Sequence, residues 1–384
     1  MNIIFTGDVC FKEQHEMDET LAKKVLSGLK PTLDSADYLV MNLETPLAKE
    51  GVGAPITKSG PNIIGRPENV GFLTEAGCRL AVLANNHTGD YGGDALRETI
   101  ELLDEKRIAH IGAGKNIAEA YRAVRTEIGG KKFSFVGINE NEFGIADENT
   151  PGTAGFDLEL AGDKLAEERL VSDYVIVIFH GGNEYNPLPS PLCRERYRTL
   201  TRLGADAVIG GHTHCMQGFE YYNGKPIVYS MGNFLFKYST KQQASWYLGY
   251  MTRLTIEDGK MQVEPLPYRS APDGESIEPL CGDERERVLA YIEKISAYIG
   301  DTVRLREMFE CWSLTVGYGY PKRFAGSGSI EELMPNVLAV LKNNLSCEAH
   351  NEVCRTAYNT VFAGRADRAR ALKPELDELM RMPV

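Results

Sequence analysis

Five stretches of the chain share one pattern, a run of apolar residues that stops at side chains able to bind metals or to catalyse a reaction. The clearest of them covers 207–211 and is followed by His212-Thr213-His214. The other four reach the residues Asp8, Glu44, His87 and His180. Such runs are typical of buried parallel strands, whose carboxyl ends meet at the edge of an α/β sheet where ligands bind. The pattern therefore predicts a functional site at that edge.

Helical and hairpin signals fill the chain between these runs. Apolar spacing predicts helices at 18–29, 69–76, 94–106, 116–124, 158–170 and 194–203. Two-residue turns predict hairpins at Gly129-Gly130, Asn223-Gly224 and Asp258-Gly259. The simplest architecture that accommodates these elements is two sheets packed together and covered by helices, and we predict that arrangement.

The pattern changes to helices after residue 284. Helices are predicted at 284–299, 301–312, 330–345, 348–362 and 374–380. We place a boundary near Asp273-Gly274, a polar stretch that contains Pro and Gly. The prediction is thus an N-terminal domain, 1–272, and a mainly helical C-terminal region, 273–384.

The composition of the chain limits the kinds of partner it can bind and indicates a cellular compartment. A net charge of −12, without a basic stripe, argues against binding to nucleic acid. No apolar run approaches the roughly 18–20 residues that cross a bilayer, so no membrane insertion is expected. Met1 leads directly into a predicted strand, and eight Cys are too dilute for a disulfide scaffold. These features favour a cytoplasmic location.

The side chains at the run ends suit a metal centre. Asp8, Glu44, Asn86 and four imidazoles (His87, His180, His212 and His214) are the ligand types of a two-metal hydrolytic site. Mixed nitrogen and oxygen ligands favour Mn, Fe, Zn or Co over Mg alone. The glycines before His212 permit a turn in which the imidazoles of His212 and His214 point in the same direction. Taken singly, Asp8 is better explained as the cap of the next helix than as a metal ligand, and the Asn-Asn-His stretch can be explained as a turn.

Six motifs follow one another between Met1 and about Phe236. They are Gly7-Asp8, Asn42-Leu43-Glu44-Thr45-Pro46, Ala84-Asn85-Asn86-His87 with Asp90-Tyr91-Gly92, His180-Gly181-Gly182 with Glu184-Tyr185, Gly211-His212-Thr213-His214 with Gln217, and Tyr229-Ser230-Met231-Gly232-Asn233-Phe234. In this order they resemble the capsule synthesis CapA family, which is associated with poly-γ-glutamate capsule. The resemblance implies a calcineurin-like, four-layer α/β/β/α sandwich of the metallophosphoesterase type. The helical C-terminal region lies outside it.

The resemblance also implies a role for each matched side chain. Asp8 would bridge two divalent metals, with Asn86, His180 and His212 on one of them and His214 and Glu44 on the other. His87 would be an outer imidazole that protonates a leaving group or steadies developing charge. Glu184 and Asn233 would bind substrate.

The first motif departs from the superfamily pattern. Where metallophosphoesterases carry Asp-x-His, this chain has Asp8-Val9-Cys10, and Asn42-Leu43-Glu44 replaces the second Asp motif. Cys10 either completes the metal site and biases it toward zinc, or packs in the core as a small apolar residue. Both alternatives stay open at this stage.

Two further groups of residues are candidates. Lys58 and Arg66, in the loop after Glu44, are predicted to hold a small or polymeric anionic substrate, although they are equally explained as solvated loop charges. Cys347, His350 and Cys354 have the spacing of one helical face and can bind zinc, but buried Cys on a packed face is commoner.

Two functions fit these observations. The first is a dinuclear-metal hydrolase of the CapA type, in which a metal-bound hydroxide attacks a phosphoester or an amide in capsule-related metabolism. The second is a non-catalytic, polymer-binding accessory protein that keeps the fold. The intact imidazoles favour the enzyme, and the altered first motif favours the binding protein.

Overall fold

The computed structural model describes residues 1–12, 17–237, 242–317 and 333–383. Within these residues the strands are β1 (Asn2–Cys10), β2 (Tyr38–Leu43), β3 (Leu80–Val82), β4 (Ala109–Ile111), β5 (Ala113–Gly114), β6 (Val124–Ile128), β7 (Lys131–Asn139), β8 (Gly152–Thr153), β9 (Tyr174–His180), β10 (Ala207–Gly211), β11 (Phe219–Tyr222), β12 (Lys225–Val228), β13 (Asn233–Phe236), β14 (Leu248–Glu257), β15 (Lys260–Ser270) and β16 (Ile277–Pro279).

The helices alternate with the early strands and then dominate the C-terminal third. They are α1 (Glu19–Leu26), α2 (Lys30–Leu33), α3 (Val70–Ala76), α4 (Gly92–Glu105), α5 (Ile117–Ala120), α6 (Leu158–Arg169), α7 (Pro191–Leu203), α8 (Gly282–Gly300), α9 (Thr302–Val316), α10 (Pro335–Ser346), α11 (Glu348–Phe362), α12 (Ala366–Arg370) and α13 (Lys373–Met380). None of these described helices is both long and apolar enough to cross a bilayer.

Two sheets organise the chain. The larger is mixed and has the strand order β16-β15-β14-β1-β2-β3-β4, with β13 also paired to β1. β1 runs parallel to β2 and antiparallel to β14. The smaller sheet has the order β11-β12-β10-β9-β7-β6, in which β9 and β10 are parallel neighbours.

The sheets pack face to face, and helices cover their outer faces. Side chains alternate along β1, because Ile3 and Phe5 face the smaller sheet while Ile4 faces the helices. We call the cluster between the sheets, which includes Ile3, Phe5, Phe135 and Ile176, the inter-sheet core. Helices α1, α3 and α4 cover the larger sheet, and α6 and α7 cover the smaller one. The predicted four-layer α/β/β/α arrangement is confirmed.

The C-terminal helices share the inter-sheet core. Ile292 of α8, Leu305 of α9 and Leu376 of α13 belong to the same buried cluster as the strands β1 and β2. Strand β16 follows the predicted boundary near residue 273 and pairs with β15 of the larger sheet. The division into 1–272 and 273–384 stays a prediction.

The hairpin predictions and most helix predictions are confirmed. At each predicted turn both residues have positive φ, for example 52° at Asn223 and 77° at Gly224, as a tight two-residue hairpin requires. The helix predicted at 116–124 is wrong beyond its first turn, because Val124 begins β6 and pairs with Phe135 of β7. Strand pairing there overrides local helix propensity. The predicted helix 330–345 begins outside the described residues, and its described part is α10.

Candidate metal centre

A bulge in β1 positions Asp8 at the seam between the two sheets. The register of β1 is irregular on both sides of Asp8, which re-aims the side chain. Its carboxylate accepts hydrogen bonds from Asn42 Nδ2 at 2.7 Å and from the backbone N–H of His212 at 3.3 Å. Asp8 thus connects the carboxyl ends of β1, β2 and β10.

The residues that follow β10 leave the strand through unusual backbone angles. φ is 94° at His212 and 53° at His214, a region that non-glycine residues seldom adopt. The expectation that the glycines supply this freedom is wrong, because Gly210 and Gly211 remain in the strand. The glycine that close packing requires is Gly210, since a Cβ there would lie 2.1 Å from the backbone oxygen of Tyr229, whereas a Cβ at Gly211 would only crowd Asp8 Oδ1 at 3.1 Å. The strained turn directs both imidazoles into one small volume.

The first group of candidate ligands contains Asp8, Glu44 and His214. One ligand atom from each lies within 4.8 Å of the others. Glu44 Oε1 is 3.9 Å from His214 Nε2, and His214 Nδ1 contacts Asn233 Oδ1 at 2.8 Å. Asn233 also donates to the carbonyl of Trp246, so it orients His214 from behind.

The second group contains Asn86, His180 and His212. His180 Nε2 is 3.2 Å from Asn86 Oδ1 and 3.2 Å from His212 Nδ1. Asn85 shapes this turn, because its side-chain oxygen accepts the backbone N–H groups of His87 and Thr88. Asn85 therefore stabilises the turn, whereas the side chain of Asn86 points toward His180. We call the two groups together, Asp8, Glu44, Asn86, His180, His212 and His214, the central site.

The central site fits divalent cations. Glu44 is fully buried, and neither of its carboxylate oxygens has a hydrogen-bond partner among the described residues. Burial and the nearby carboxylate of Asp8 raise the pKa of Glu44 well above its usual value. Burial and the neighbouring imidazoles lower the pKa of His180. A cation would reverse the first effect, because it stabilises the ionised carboxylate of Glu44, and it would bind the neutral imidazole that the lowered pKa of His180 already favours.

His87 lies beside the central site in its own polar network. Its Nδ1 is 2.7 Å from Asp90 Oδ2 and 3.1 Å from Lys58 Nζ, and Lys58 also pairs with the buried Asp90. Burial lowers the pKa of His87, and Lys58 lowers it further against the opposing effect of Asp90. With Nδ1 engaged, Nε2 is the ring nitrogen left for a ligand.

The remaining predicted site residues occupy different settings. Lys58 and Glu184 line the cavity above the central site, and Lys58 is buried rather than a solvated loop charge. Arg66 is not among the cavity-lining residues, and its guanidinium lies 4.0 Å from Glu50.

Cys10 packs among Ile63, Phe236, Trp246 and Tyr247. Burial raises the pKa of its thiol, which favours the packing alternative.

A cavity of about 720 Å³ opens over the central site, and the C-terminal helices form much of its wall. Asn86, His87 and His212 line one part of it. Trp312 of α9, Asn344 of α10 and other residues of α9–α11 line the opposite part, and loop residues such as Lys58 and Glu184 complete the lining. Sequence analysis missed this contribution, because the helical region resembles no known motif and its packing depends on long-range contacts.

Comparison with known proteins identifies the family of the chain. The family model described as "Bacterial capsule synthesis protein PGA_cap" matches residues 2–238. The PGA biosynthesis protein CapA of Bacillus subtilis (strain 168) is 26% identical over 273 residues, which cover 70% of this chain and 71% of that protein. The capsule biosynthesis protein CapA of Bacillus anthracis is 29% identical over 269 residues, which cover 65% of this chain and 64% of that protein.

Solved structures are more distant. A phosphatase from Mycoplasma pneumoniae has a TM-score of 0.44 and 14% identity, and covers 70% of this chain and 92% of its own. A 5'-nucleotidase from Candida albicans has a TM-score of 0.42 and 13% identity, and covers 71% of this chain and 52% of its own. Likenesses at this level carry no conclusion about activity. The match to the family model, which covers more than half of the sequence, shows that the chain belongs to the bacterial capsule synthesis protein family.

Proposed function

We propose that the protein is a metal-dependent hydrolase that cleaves a phosphoester or an amide bond in an anionic substrate of capsule-related metabolism. The observation that carries the proposal is the carboxylate of Glu44, which is buried without a hydrogen-bond partner among the described residues, within one small group with Asp8 and His214. A buried carboxylate that accepts no hydrogen bond is costly in a folded protein unless a cation is bound nearby. The names of the two Bacillus relatives support the link to capsule or PGA biosynthesis.

The residues of the central site form two ligand groups, one for each of two cations. Asp8 would bridge the two cations, with Glu44 and His214 on one and Asn86, His180 and His212 on the other. Its position supports this role, because Asp8 Oδ2 is 3.8 Å from His214 Nδ1 and Asp8 Oδ1 is 4.0 Å from His180 Nδ1. Divalent cations bound there would lower the pKa of a coordinated water to about 7. Asn42 and Asn233 fix the orientation of Asp8 and His214 through hydrogen bonds.

His87 is placed to handle a proton at the cavity edge. Asp90 holds its Nδ1, so Nε2 is available to a substrate atom. Its lowered pKa favours neutral imidazole in the free protein. A negatively charged substrate would raise that pKa again and allow His87 to donate a proton to a leaving group. Lys58 supplies a fixed positive charge beside it.

Metal analysis combined with a hydrolysis screen tests the proposal. Wild-type protein and a His212→Ala, His214→Ala variant would be loaded with Mn or Zn, desalted and analysed for bound metal. Both would be assayed against aryl phosphate esters and γ-glutamyl amides. We expect the variant to lose most of its central-site metal and all turnover. His110→Ala, which removes an imidazole outside the central site, serves as the control and should change neither.

The outcomes separate the two candidate functions. Equal metal content in wild type and the double variant would contradict the central site itself. Metal binding without turnover of either substrate class would contradict the hydrolase. That second result would favour the non-catalytic, polymer-binding function instead.

A further inference from the structure

A second cluster of metal-ligand side chains lines the same cavity, away from all six family motifs. It contains Glu142, Cys347 and His350, whose ligand atoms lie within 4.8 Å of one another. Glu142 follows β7, Cys347 lies at the junction of α10 and α11, and His350 is in the first turn of α11. We call these three residues the helix-side cluster. It shares no residue with the central site.

The cluster has polar neighbours that point to a ligand. His350 Nε2 lies 3.4 Å from Glu142 Oε1, and Asn343 Nδ2 donates to the same oxygen at 3.3 Å. The other side-chain atom of Asn343, its Oδ1, is buried and accepts no hydrogen bond from any described residue. Asn343 is only 3% exposed, yet it lines the cavity. An ion pair between His350 and Glu142 accounts for those two side chains but leaves this amide oxygen unexplained.

We propose that the helix-side cluster binds a zinc-like divalent cation through Glu142, Cys347 and His350. A thiolate, an imidazole and a carboxylate form a donor set that suits zinc and disfavours Mg or Ca. On binding, the Cys347 thiol and the ion-paired His350 imidazolium each release a proton to solvent, so that a thiolate and a neutral imidazole bind the cation. Three protein ligands leave a fourth position, which Asn343 Oδ1 or a cavity ligand can fill.

The cation has two consequences for the molecule. It joins the loop after β7 to the start of α11 and so fixes the C-terminal helices at the rim of the cavity. The thiolate and the carboxylate that bind the cation balance its two positive charges. Its fourth coordination position can still take an anionic ligand directly from the cavity, whose wall also carries Glu184.

Zinc and cobalt binding to the full chain test the proposal. The His212→Ala, His214→Ala background removes most metal from the central site, so the remaining metal reports on the helix-side cluster. We expect about one zinc per chain to remain and to be lost on adding Cys347→Ser or Glu142→Gln. Cys354→Ser, one to two turns further along α11 and outside the cluster, is the matched control and should keep the zinc.

Cobalt substitution reads the sulfur ligand directly. Co(II) bound by Cys347 gives a thiolate-to-metal charge-transfer absorption, which Cys347→Ser should abolish and Cys10→Ser should leave intact. Circular dichroism would verify that each variant is folded. Unchanged zinc content in folded Cys347→Ser would overturn the proposal, and so would an absorption that depends on Cys10 instead. Neither result contradicts metal binding at the central site, because the two sites share no ligand. A band that depends on Cys10 would instead make that thiol a ligand of the central-site metal.

Discussion

At the scale of single residues, Glu44 is the side chain whose surroundings depend most on a bound cation. It is fully buried, its oxygens accept no hydrogen bond from the described residues, and the buried carboxylate of Asp8 is a neighbour. An ionised carboxylate in such a place destabilises the fold by an amount comparable to a lost charged hydrogen bond. Its presence is therefore explained by function rather than by stability.

We predict that Glu44→Gln stabilises the metal-free protein while weakening metal binding. Removing the charge should raise the free energy of unfolding by roughly 1–3 kcal/mol in the presence of a chelator. Added Mn or Zn should then raise the melting temperature of the variant less than that of wild type. Calorimetry with and without metal measures both effects. A variant that is less stable than wild type without metal would show that Glu44 has a structural partner.

Substitution of His87 distinguishes a metal ligand from a residue that transfers a proton. We predict that His87→Asn keeps the metal content of wild type and loses roughly 10²–10⁴ in turnover, because Asp90 and Lys58 hold it beside the ligands. Metal analysis and initial rates on one preparation measure the two quantities. Parallel loss of metal and activity would make His87 a ligand.

The contacts of Lys58 predict a role in catalysis as well as the substrate binding that its loop position suggests. Since its ammonium group pairs with buried Asp90 and contacts His87, Lys58→Met should lower kcat as well as raise KM for an anionic substrate. A loop charge that only attracts substrate would change KM alone. Arg66→Met is the comparison variant, because Arg66 lies outside the cavity lining and should change neither constant.

At the scale of elements, α11 docks against the start of α7 through one carboxylate. Glu352 accepts hydrogen bonds from the Ser190 hydroxyl and from the backbone N–H of Leu192 at 3.0 Å. Burial raises the pKa of Glu352 to about 7, although these hydrogen bonds oppose the change. The contact therefore couples the C-terminal helices to the smaller sheet in a pH-dependent way.

The sign of that dependence follows from the raised pKa. The folded protein holds the Glu352 proton more tightly than the unfolded chain, so this contribution to stability is present below about pH 4.5 and is lost as the pH rises through about 7. We predict that Glu352→Gln, which stays neutral, gains up to about 3 kcal/mol on wild type between pH 5 and 8. Denaturant unfolding at each pH measures the difference. Glu293→Gln, at an exposed position of α8, controls for the loss of one charge, and parallel pH profiles for wild type and Glu352→Gln would contradict the prediction.

Local signals explain which elements were predictable from sequence. Asn223-Gly224 determines its own turn, and the apolar runs before Asp8 and His180 determine buried strands whose ends coincide. The failure at 116–124 arose because Val124 pairs with a strand that local spacing does not reveal. Helix-side cluster residues were only half predicted. Cys347 and His350 were singled out, but Cys354 packs in the inter-sheet core and Glu142 takes its place.

Long-range packing accounts for what the sequence could not show about the site. Asn141 Nδ2 donates to Glu348 across 207 positions, and this contact brings the loop after β7 to α11. No periodicity or motif encodes such a contact. The strain at His212 and His214 was equally hidden, because the neighbouring glycines suggested a simpler source of the turn.

At the scale of the whole molecule, the C-terminal helices belong to the core as well as to the cavity. Ile292 and Leu305 are fully buried in the inter-sheet core, and Arg194 of α7 donates to the carbonyl of Ile299 at the end of α8. The backbone N–H of Phe219 also bonds Ser296 Oγ. A hydrophobic cluster shared in this way couples the stability of its parts.

We predict that the full chain unfolds in one cooperative transition and that the fragment 1–272 does not fold alone. Removing α8–α13 would expose apolar side chains of β14 and β15 that now contact the helices, so the fragment should bind a hydrophobic dye and lack native near-ultraviolet circular dichroism. In the full chain, Ile292→Ala should cost about 2–4 kcal/mol and lower the transition seen by calorimetry and by central-site metal release together. Two resolved transitions, or a 1–272 fragment that folds and binds metal, would instead establish the division near residue 273 as a true domain boundary. The inter-sheet core would then be an interface between two units that fold independently.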